Sequence, residues 1–155
     1  MIEVKNIIKS FEGRTVLNNI SAVFETGKTN LIIGRSGSGK TVMIKSIIGL
    51  IKPDSGQILY DNRDFTSMGK NELHVIRREM GMLFQGSALF DSMTVLENVL
   101  FPLDMFSKET KKGKIARAQF CLDRVNLSEA GNLYPSEISG GMMKRAAIAR
   151  AIALK

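Results

Sequence analysis

The beginning of the chain alternates short apolar runs with turn residues, a pattern that predicts strands. The segments "IEVKNIIKSF" and "TVLNNISAVFE" are rich in Ile and Val, and "EGR" between them supplies a turn. A further short strand with a turn is predicted for "GQILYDNRD". Two fully apolar runs, "TNLIIG" and "MGMLFQ", are typical of buried parallel strands.

Helical spacing appears between and after these strands. It runs from Lys40 to about Ile48, with Gly49 near its end and Pro53 beyond, and again through "GKNELHVIRRE". After Gln85 two helical segments, "TVLENVLFPLDM" and "KIARAQFCLDRVNL", predict an inserted helical unit, and an Ala-rich helix is predicted from about Gly141 to Lys155. This order of strands and helices favours an α/β fold.

Composition narrows the class of protein. A chain of 155 residues that is 44% hydrophobic and 24% charged can form one globular domain. No apolar run reaches the roughly 18–20 residues that cross a bilayer, and the N-terminus lacks a secretory pattern, so we expect a cytosolic protein. The single cysteine, Cys121, is predicted to be buried and inert, and His74 is assigned no role.

The net charge of +7 is compatible with nucleic acid, anionic lipid or phosphate ligands. The basic residues are scattered, however, and the densest run, "SKETKKGKIAR", is typical of a loop leading into a solvated helix. With only 6% aromatic residues and no Trp, the chain offers little surface for base stacking. No nucleic-acid partner is expected.

A glycine-rich loop separates the predicted strand "TNLIIG" from the helix that follows. Its sequence, "GRSGSGKT", matches G-x-x-x-x-G-K-[ST], in which glycines let successive N–H groups turn inward around an anion. The helix adds its positive end, the lysine reaches the outer phosphates and the threonine hydroxyl suits Mg²⁺. A chance match in a turn is the alternative, against which the flanking strand and helix argue. The residues expected to bind a nucleoside triphosphate are Gly34, Arg35, Ser36, Gly37, Ser38, Gly39, Lys40 and Thr41.

The segment "ISGGMMKRAAIARAIAL", with the loop upstream and "MLFQ" between them, resembles the ATP-binding-cassette (ABC) ATPases over essentially all 155 residues. The resemblance implies a P-loop NTPase (RecA-like) core with an N-terminal antiparallel β subdomain and an inserted α-helical subdomain. A single domain would then comprise the β subdomain with half of the core (1–85), the α-helical subdomain (86–138), and the signature motif with its helix (139–155).

Family roles carry over to matching positions. Phe11 would stack on adenine, unless it is a core or edge phenylalanine. Gln85 would reach Mg²⁺ and the attacking water, unless it is a polar residue at a strand end. Ser139, Gly140 and Gly141 would form a second anion site facing the γ-phosphate held by another subunit, the alternative being a plain helix N-cap. The expected catalytic residues are Lys40, Gln85 and Ser139, and the expected metal ligands are Thr41 and Gln85.

The chain departs from the family pattern in two ways. Met142 stands where the common signature has Gln, and a thioether cannot reproduce the hydrogen bonds of an amide. In the family, a segment like "RAIALK" is followed by an apolar strand that ends in Asp-Glu. In this sequence only Asp61 and Asp91 follow short apolar runs, and both are predicted to be surface carboxylates. We therefore expect a truncated cassette without the C-terminal part of the core, with weak stability and negligible ATPase activity on its own.

The segments "GMLFQGSALFDSMTVLENVLFPL" and "YPSEISGGMMKRAAIARAIAL" resemble the ATPases of Mla-type phospholipid transporters. This implies a subunit that couples ATP binding and hydrolysis, with ATP and Mg²⁺ as cofactors, to phospholipid transport between bacterial envelope membranes. It also implies a head-to-tail homodimer with ATP at the interface, on the cytoplasmic face of the inner membrane. The permease would dock on Gln85–Pro102, where Leu89, Phe90 and Met93 supply either a groove or ordinary core packing.

Other classes remain open at this point. A soluble ABC ATPase without a membrane partner usually carries two cassettes or a coiled-coil insertion, and neither pattern is present in this sequence. An ABC importer ATPase for another substrate is a further alternative. A P-loop kinase or GTPase is disfavoured by "ISGGMMKR" and by the lack of an N-K-x-D motif.

Overall fold

The computed structural model describes residues 1–154, apart from the side chain of residue 70, and it divides the chain into two compact units. The sheet unit is Met1–Arg77 and the helical unit is Arg78–Lys155. The sequence-based partition at residues 85 and 138 stays a prediction.

The sheet unit contains four strands that pair antiparallel: β1 (Ile2–Phe11), β2 (Arg14–Phe24), β3 (Ser55–Tyr60) and β4 (Arg63–Asp64). Their order in the sheet is β2-β1-β3-β4. Phe11 lies opposite Arg14 beside the hairpin turn, and Ile2 lies opposite Phe24 at the other end. The predicted strands at the start of the chain are confirmed, and so is the strand that follows Asp54.

One face of this sheet is buried beneath a helix. Val4, Ile7 and Ile58 are at most 2% exposed, as expected for the inward-facing positions of strands covered on one side. Helix α1 (Lys40–Ile47) buries Met43 and Ile47. The Tyr60 hydroxyl donates a hydrogen bond to the Ile47 carbonyl, which ties β3 to the end of α1. Helix α2 (Lys70–Arg78) follows β4 in the chain.

The helical unit is built from α3 (Val95–Phe106), α4 (Lys111–Arg124) and α5 (Gly140–Ile152), which share one apolar core. Helix α3 begins with a capping box, in which Thr94 accepts from the Glu97 N–H and Glu97 accepts from the Thr94 N–H. Cys121 is fully buried in the core, as predicted, and burial raises the pKa of its thiol. The predicted helices are confirmed, although position 155 of the last one lies outside the described residues.

The two predicted parallel strands are wrong. Residues 29–34 and 80–85 form no strand within residues 1–154, and their apolar side chains are not buried. Leu31 is 82% exposed, Ile33 81% and Leu83 49%. A parallel strand is stabilised by hydrogen bonds to neighbours distant in sequence. Neither segment has such a ladder in the described chain, so apolar character alone does not make it a strand.

Candidate functional site

The loop that precedes α1 is folded around the ammonium group of Lys40. The Lys40 Nζ donates to the carbonyl oxygens of Gly34 and Arg35, at 2.7 Å each. An ammonium group has three N–H donors, so one remains for a further acceptor. The Ser38 N–H donates to the Arg35 carbonyl at 3.2 Å and closes a turn inside the loop. Two loop carbonyls thus hold the Lys40 side chain against the loop.

Two glycines give the loop its curvature. Gly37 and Gly39 have φ angles of 76° and 88°, in the left-handed region that favours glycine. Gly39 is also buried, and an added Cβ there would lie 3.0 Å from the Val16 carbonyl oxygen and 3.1 Å from the Leu17 side chain. The loop therefore packs directly on β2. It needs glycine at position 39 for two independent reasons, its backbone angle and its close approach to the strand.

The N-terminus of α1 is open to an anion. Gly39 is its N-cap and, within residues 1–154, no side chain caps the first-turn N–H groups and no acidic residue lies in the first turn. Uncapped N–H groups at a helix start carry partial positive charge and bind phosphate well. Thr41 is exposed in this first turn, so its hydroxyl is accessible. The uncapped N–H groups, Lys40 and Thr41 all belong to the first turn of α1.

Phe11 lies at the end of β1, beside the β1–β2 turn. It is 43% exposed, so it is not a core phenylalanine. The Lys9 Nζ lies 5.4 Å from the centre of its ring. Because Gly39 packs on Val16 near the same end of the hairpin, the phosphate loop and the Phe11 ring belong to one region of the sheet unit.

Gln85 lies in the helical unit, in a turn whose backbone is tied to α5. Gln85 is exposed, and the Ser87 N–H closes the turn by donating to the Phe84 carbonyl at 3.1 Å. Arg150 donates to the carbonyl oxygens of Ser87 and Ala88 at 3.0 and 2.8 Å. This role of Arg150 could not be predicted from the sequence, because every residue has a backbone carbonyl and its hydrogen bonds leave no sequence signature.

Ser139 is the N-cap of α5. Its Oγ accepts a hydrogen bond from the Met142 N–H at 3.3 Å, and its backbone is extended. Gly140 and Gly141 are exposed, and an added Cβ at Gly140 would meet nothing within 4 Å. Ser139 is therefore a helix N-cap in its local structure, and the predicted anion site at Ser139, Gly140 and Gly141 stays a prediction. It leaves an exposed helix start whose first turn lacks acidic residues.

The predicted docking residues differ in their surroundings. Leu89 packs against the core of the helical unit, so for this residue the core-packing alternative is correct. Phe90 is 41% exposed and its ring centre lies 4.8 Å from that of Phe101. Met93 and Phe101 line a surface cavity of about 280 Å³ beside Met105, which is 59% exposed.

The predicted site residues thus form two groups. The loop 34–41 and Phe11 lie in the sheet unit, whereas Gln85 and Ser139 lie in the helical unit. Residues 1–154 gather no cluster of three His, Cys, Asp or Glu side chains that could hold a metal ion. Within the same residues, no helix has the length and apolar character needed to span a membrane.

Comparisons with known proteins agree with this geometry. The profile of the family described as "ABC transporter" matches residues 17–155. Among curated proteins, the chain is 39% identical over all of its residues to the intermembrane phospholipid transport system ATP-binding protein MlaF of Escherichia coli (strain K12). It is 39% identical over 99% of its length to the probable ribonucleotide transport ATP-binding protein mkl of Mycobacterium leprae (strain TN).

A similar solved structure is the dimeric, post-hydrolysis form of the ATP-binding cassette MJ0796 bound to ADP and Pi. It matches with a TM-score of 0.90 and 35% identity, over 99% of this chain and 69% of that one. The chain spans 58% of the length of the Escherichia coli relative and 44% of that of the Mycobacterium leprae relative.

Proposed function

Because this chain belongs to the ABC transporter family, we propose that it binds ATP and forms part of a subunit that hydrolyses ATP to drive transport. The observation that supports the proposal most directly is the pair of hydrogen bonds that hold the Lys40 ammonium group against the loop. Two of its donors are bonded to loop carbonyls, and a third remains for a phosphate oxygen. The uncapped start of α1 adds backbone donors at the same place.

Each predicted residue has a role in this proposal. Residues 34–40 surround the triphosphate with backbone N–H groups and the Lys40 ammonium, and the exposed Phe11 ring stacks on the adenine base. Ser139, Gly140 and Gly141 present a second helix start, suited to the γ-phosphate of a nucleotide held by another copy. In support of such a dimer, the similar cassette MJ0796 is dimeric in its ADP-bound structure.

Thr41 in the sheet unit and Gln85 in the helical unit each carry an oxygen atom that suits Mg²⁺. The Thr41 hydroxyl and the Gln85 amide oxygen are neutral oxygen donors on exposed residues, and Mg²⁺ is commonly held by few protein ligands together with phosphates and water. When bound, the ion neutralises charge on the phosphates. Gln85 both donates and accepts hydrogen bonds, and this suits it to orient a water molecule. Lys40 stabilises charge on the β- and γ-phosphates.

The transported substrate is proposed to be phospholipid, moved between bacterial envelope membranes. The relative MlaF is named for intermembrane phospholipid transport. The subunit would then lie at the cytoplasmic face of the inner membrane and contact a permease through residues 85–102. The exposed Phe90 and Met105, and the cavity lined by Met93, offer an apolar surface for such a contact. The relative mkl is named for ribonucleotide transport, which supports that substrate as a second candidate.

The first test is the affinity of the purified protein for ATP, measured by titration with a fluorescent analogue. A charge-assisted hydrogen bond contributes about 1.5–3 kcal/mol, so Lys40→Ala should weaken binding by roughly 10–100-fold. Lys45→Ala, on the last turn of the same helix, is the matched control and should bind like the wild type. Equal affinities for the wild type and Lys40→Ala would refute the assignment of the loop.

The second test separates the two candidate substrates. A strain in which the gene is deleted should show altered phospholipid distribution between its membranes, restored by the wild-type gene and not by Lys40→Ala. If lipid distribution is unchanged and ribonucleotide uptake is lost, the second candidate is correct.

A further inference from the structure

Arg150 joins the last turn of α5 to the backbone that follows Gln85. Its Nη1 donates to the Ala88 carbonyl at 2.8 Å and its Nη2 to the Ser87 carbonyl at 3.0 Å. The guanidinium also lies 5.9 Å from the centre of the Phe90 ring. Burial lowers the pKa of Arg150, so this cation has given up part of its hydration. The planar guanidinium group can donate two parallel hydrogen bonds to neighbouring carbonyl oxygens, and the ammonium group of a lysine cannot reproduce this geometry.

The two carbonyls that Arg150 holds belong to strained residues. Ser87 and Ala88 have φ angles of 60° and 50°, which are uncommon for residues other than glycine. Strain of this kind persists only where surrounding contacts hold the backbone in place. Arg150 supplies two such contacts, and the Ala88 N–H donates locally to the Gly86 carbonyl at 2.6 Å.

The other side of Gln85 is also fixed on α5. Gly81 lies so close to Ala151 that an added Cβ would collide with the Ala151 carbonyl oxygen. The segment 81–88, which carries Gln85 near its middle, is therefore held at both ends by consecutive residues of α5. These residues lie near the C-terminus of the helix whose N-terminus is Ser139.

We propose that Arg150 is a positioning residue for Gln85: its guanidinium fixes the strained turn at Ser87 and Ala88, and so sets where the Gln85 side chain points. This inference rests on the proposed ATPase function. Misplacing a catalytic group by about 1 Å can lower a rate by about 100-fold while leaving substrate binding intact. Arg150 then affects the reaction through geometry and touches neither nucleotide nor metal.

The test compares Arg150→Gln with Arg145→Gln in the hydrolytically active protein. Arg145 is a matched control, because it lies on the same helix and also donates to two backbone carbonyls, those of Val125 and Asn126, at 3.0 and 2.9 Å. For Arg150→Gln we expect kcat to fall by at least about tenfold with KM for ATP changed less than about twofold. Arg145→Gln should change kcat by less than about threefold per folded molecule. Arg150→Lys, which keeps the charge without the fork, should recover part of the loss.

A double-mutant cycle tests whether Arg150 acts through Gln85. On a Gln85→Ala background, Arg150→Gln should cause no further loss of kcat, because the side chain to be positioned is already gone. An independent loss on that background, or equal effects of Arg150→Gln and Arg145→Gln on kcat, would overturn the inference while leaving the ATPase assignment intact. A wild type without Lys40-dependent hydrolysis would overturn both.

Amide hydrogen exchange tests whether Arg150 holds the turn at Ser87 and Ala88, and it does not depend on ATP hydrolysis. Loss of a charged hydrogen bond of about 1.5 kcal/mol raises the frequency of local opening by roughly tenfold. Exchange at residues 86–90 should accelerate by that factor in Arg150→Gln and stay unchanged in Arg145→Gln. Unchanged exchange in Arg150→Gln would show that other contacts hold the turn, and the proposal would fail.

Discussion

The buried side chain of Asn98 is expected to hold the loop that leads into α3, and its removal should be among the most damaging single changes in the helical unit. Asn98 is 0% exposed. Its Oδ1 accepts from the Phe90 N–H at 2.8 Å, and its two Nδ2 N–H groups are shared among the carbonyls of Phe90, Met93 and Thr94 at 3.0–3.1 Å. One amide therefore satisfies four backbone groups of a loop that forms part of the proposed permease-facing surface.

The magnitude follows from which groups lose a partner in Asn98→Ala. The Thr94 carbonyl still accepts from the Asn98 backbone N–H, and the Phe90 carbonyl still accepts from the Met93 N–H. The loss falls mainly on the Phe90 N–H and the Met93 carbonyl, at about 1–2 kcal/mol each when left unsatisfied. Together they give a decrease of about 2–4 kcal/mol in the free energy of unfolding, to which the small cavity adds.

Urea denaturation followed by circular dichroism measures this change. With an m-value of about 2 kcal/mol/M, the midpoint should fall by about 1–2 M. Asn132→Ala, at an exposed position before the signature motif, is the control and should stay within about 0.5 kcal/mol of the wild type. Asn98→Asp should be at least as damaging as Asn98→Ala, because a carboxylate would face carbonyl oxygens without a donor. A loss below about 1 kcal/mol in Asn98→Ala would refute the reasoning.

Two further predictions concern the sheet unit. Gly39→Ala should destabilise the protein by about 2–4 kcal/mol and Gly37→Ala by about 1–2 kcal/mol, since both need a positive φ but only Gly39 is crowded by β2. Thermal unfolding of the two variants measures the difference, and equal losses would contradict the packing argument. Lys9 and the Ser10 N–H hydrogen-bond to Asp54 at 2.6 and 2.7 Å and lower its pKa. The stabilisation is therefore present above the pKa of the unfolded carboxyl and is lost as the pH falls through the lower folded pKa. Asp54→Asn should accordingly be less stable than the wild type at neutral pH, and the difference should disappear in acid; a difference independent of pH would contradict the assignment.

Local signals explain which parts of the fold could be predicted. Helix α3 follows a Thr and Glu spaced as a capping box, and α1 begins at the lysine of a motif that requires a helix there. The β1–β2 hairpin carries Ile and Val in both arms around a turn with Gly13. In each case the information lies within a few residues of the element that it specifies, so a single sequence is sufficient.

The errors and omissions involve partners that are distant in sequence. Whether "TNLIIG" becomes a strand depends on hydrogen bonds to other strands, and an apolar run cannot show whether they form. Arg150 contacts carbonyls more than 60 positions earlier, and carbonyls are common to every residue type. The motif at residues 34–41 could be recognised in the sequence because its glycines and lysine are the residues proposed to contact phosphate. The contacts that hold the Gln85 segment could not be predicted, because the Arg150 side chain binds backbone carbonyls there.

Helix α5 connects two of the predicted nucleotide-contacting groups within one core. It has Ser139 at its start, and its last turns hold the segment that carries Gln85, through Arg150 and the close contact between Gly81 and Ala151. A helix of 13 residues is about 20 Å long, and this one buries Ala146, Ala147 and Ala149 in the core of the helical unit. Since a packed interior transmits strain, we expect a displacement at Ser139 to reach the Gln85 segment. We therefore expect the proposed signature site and the proposed water-orienting residue to respond together, and loss of Arg150 to weaken this link while the contact between Gly81 and Ala151 remains.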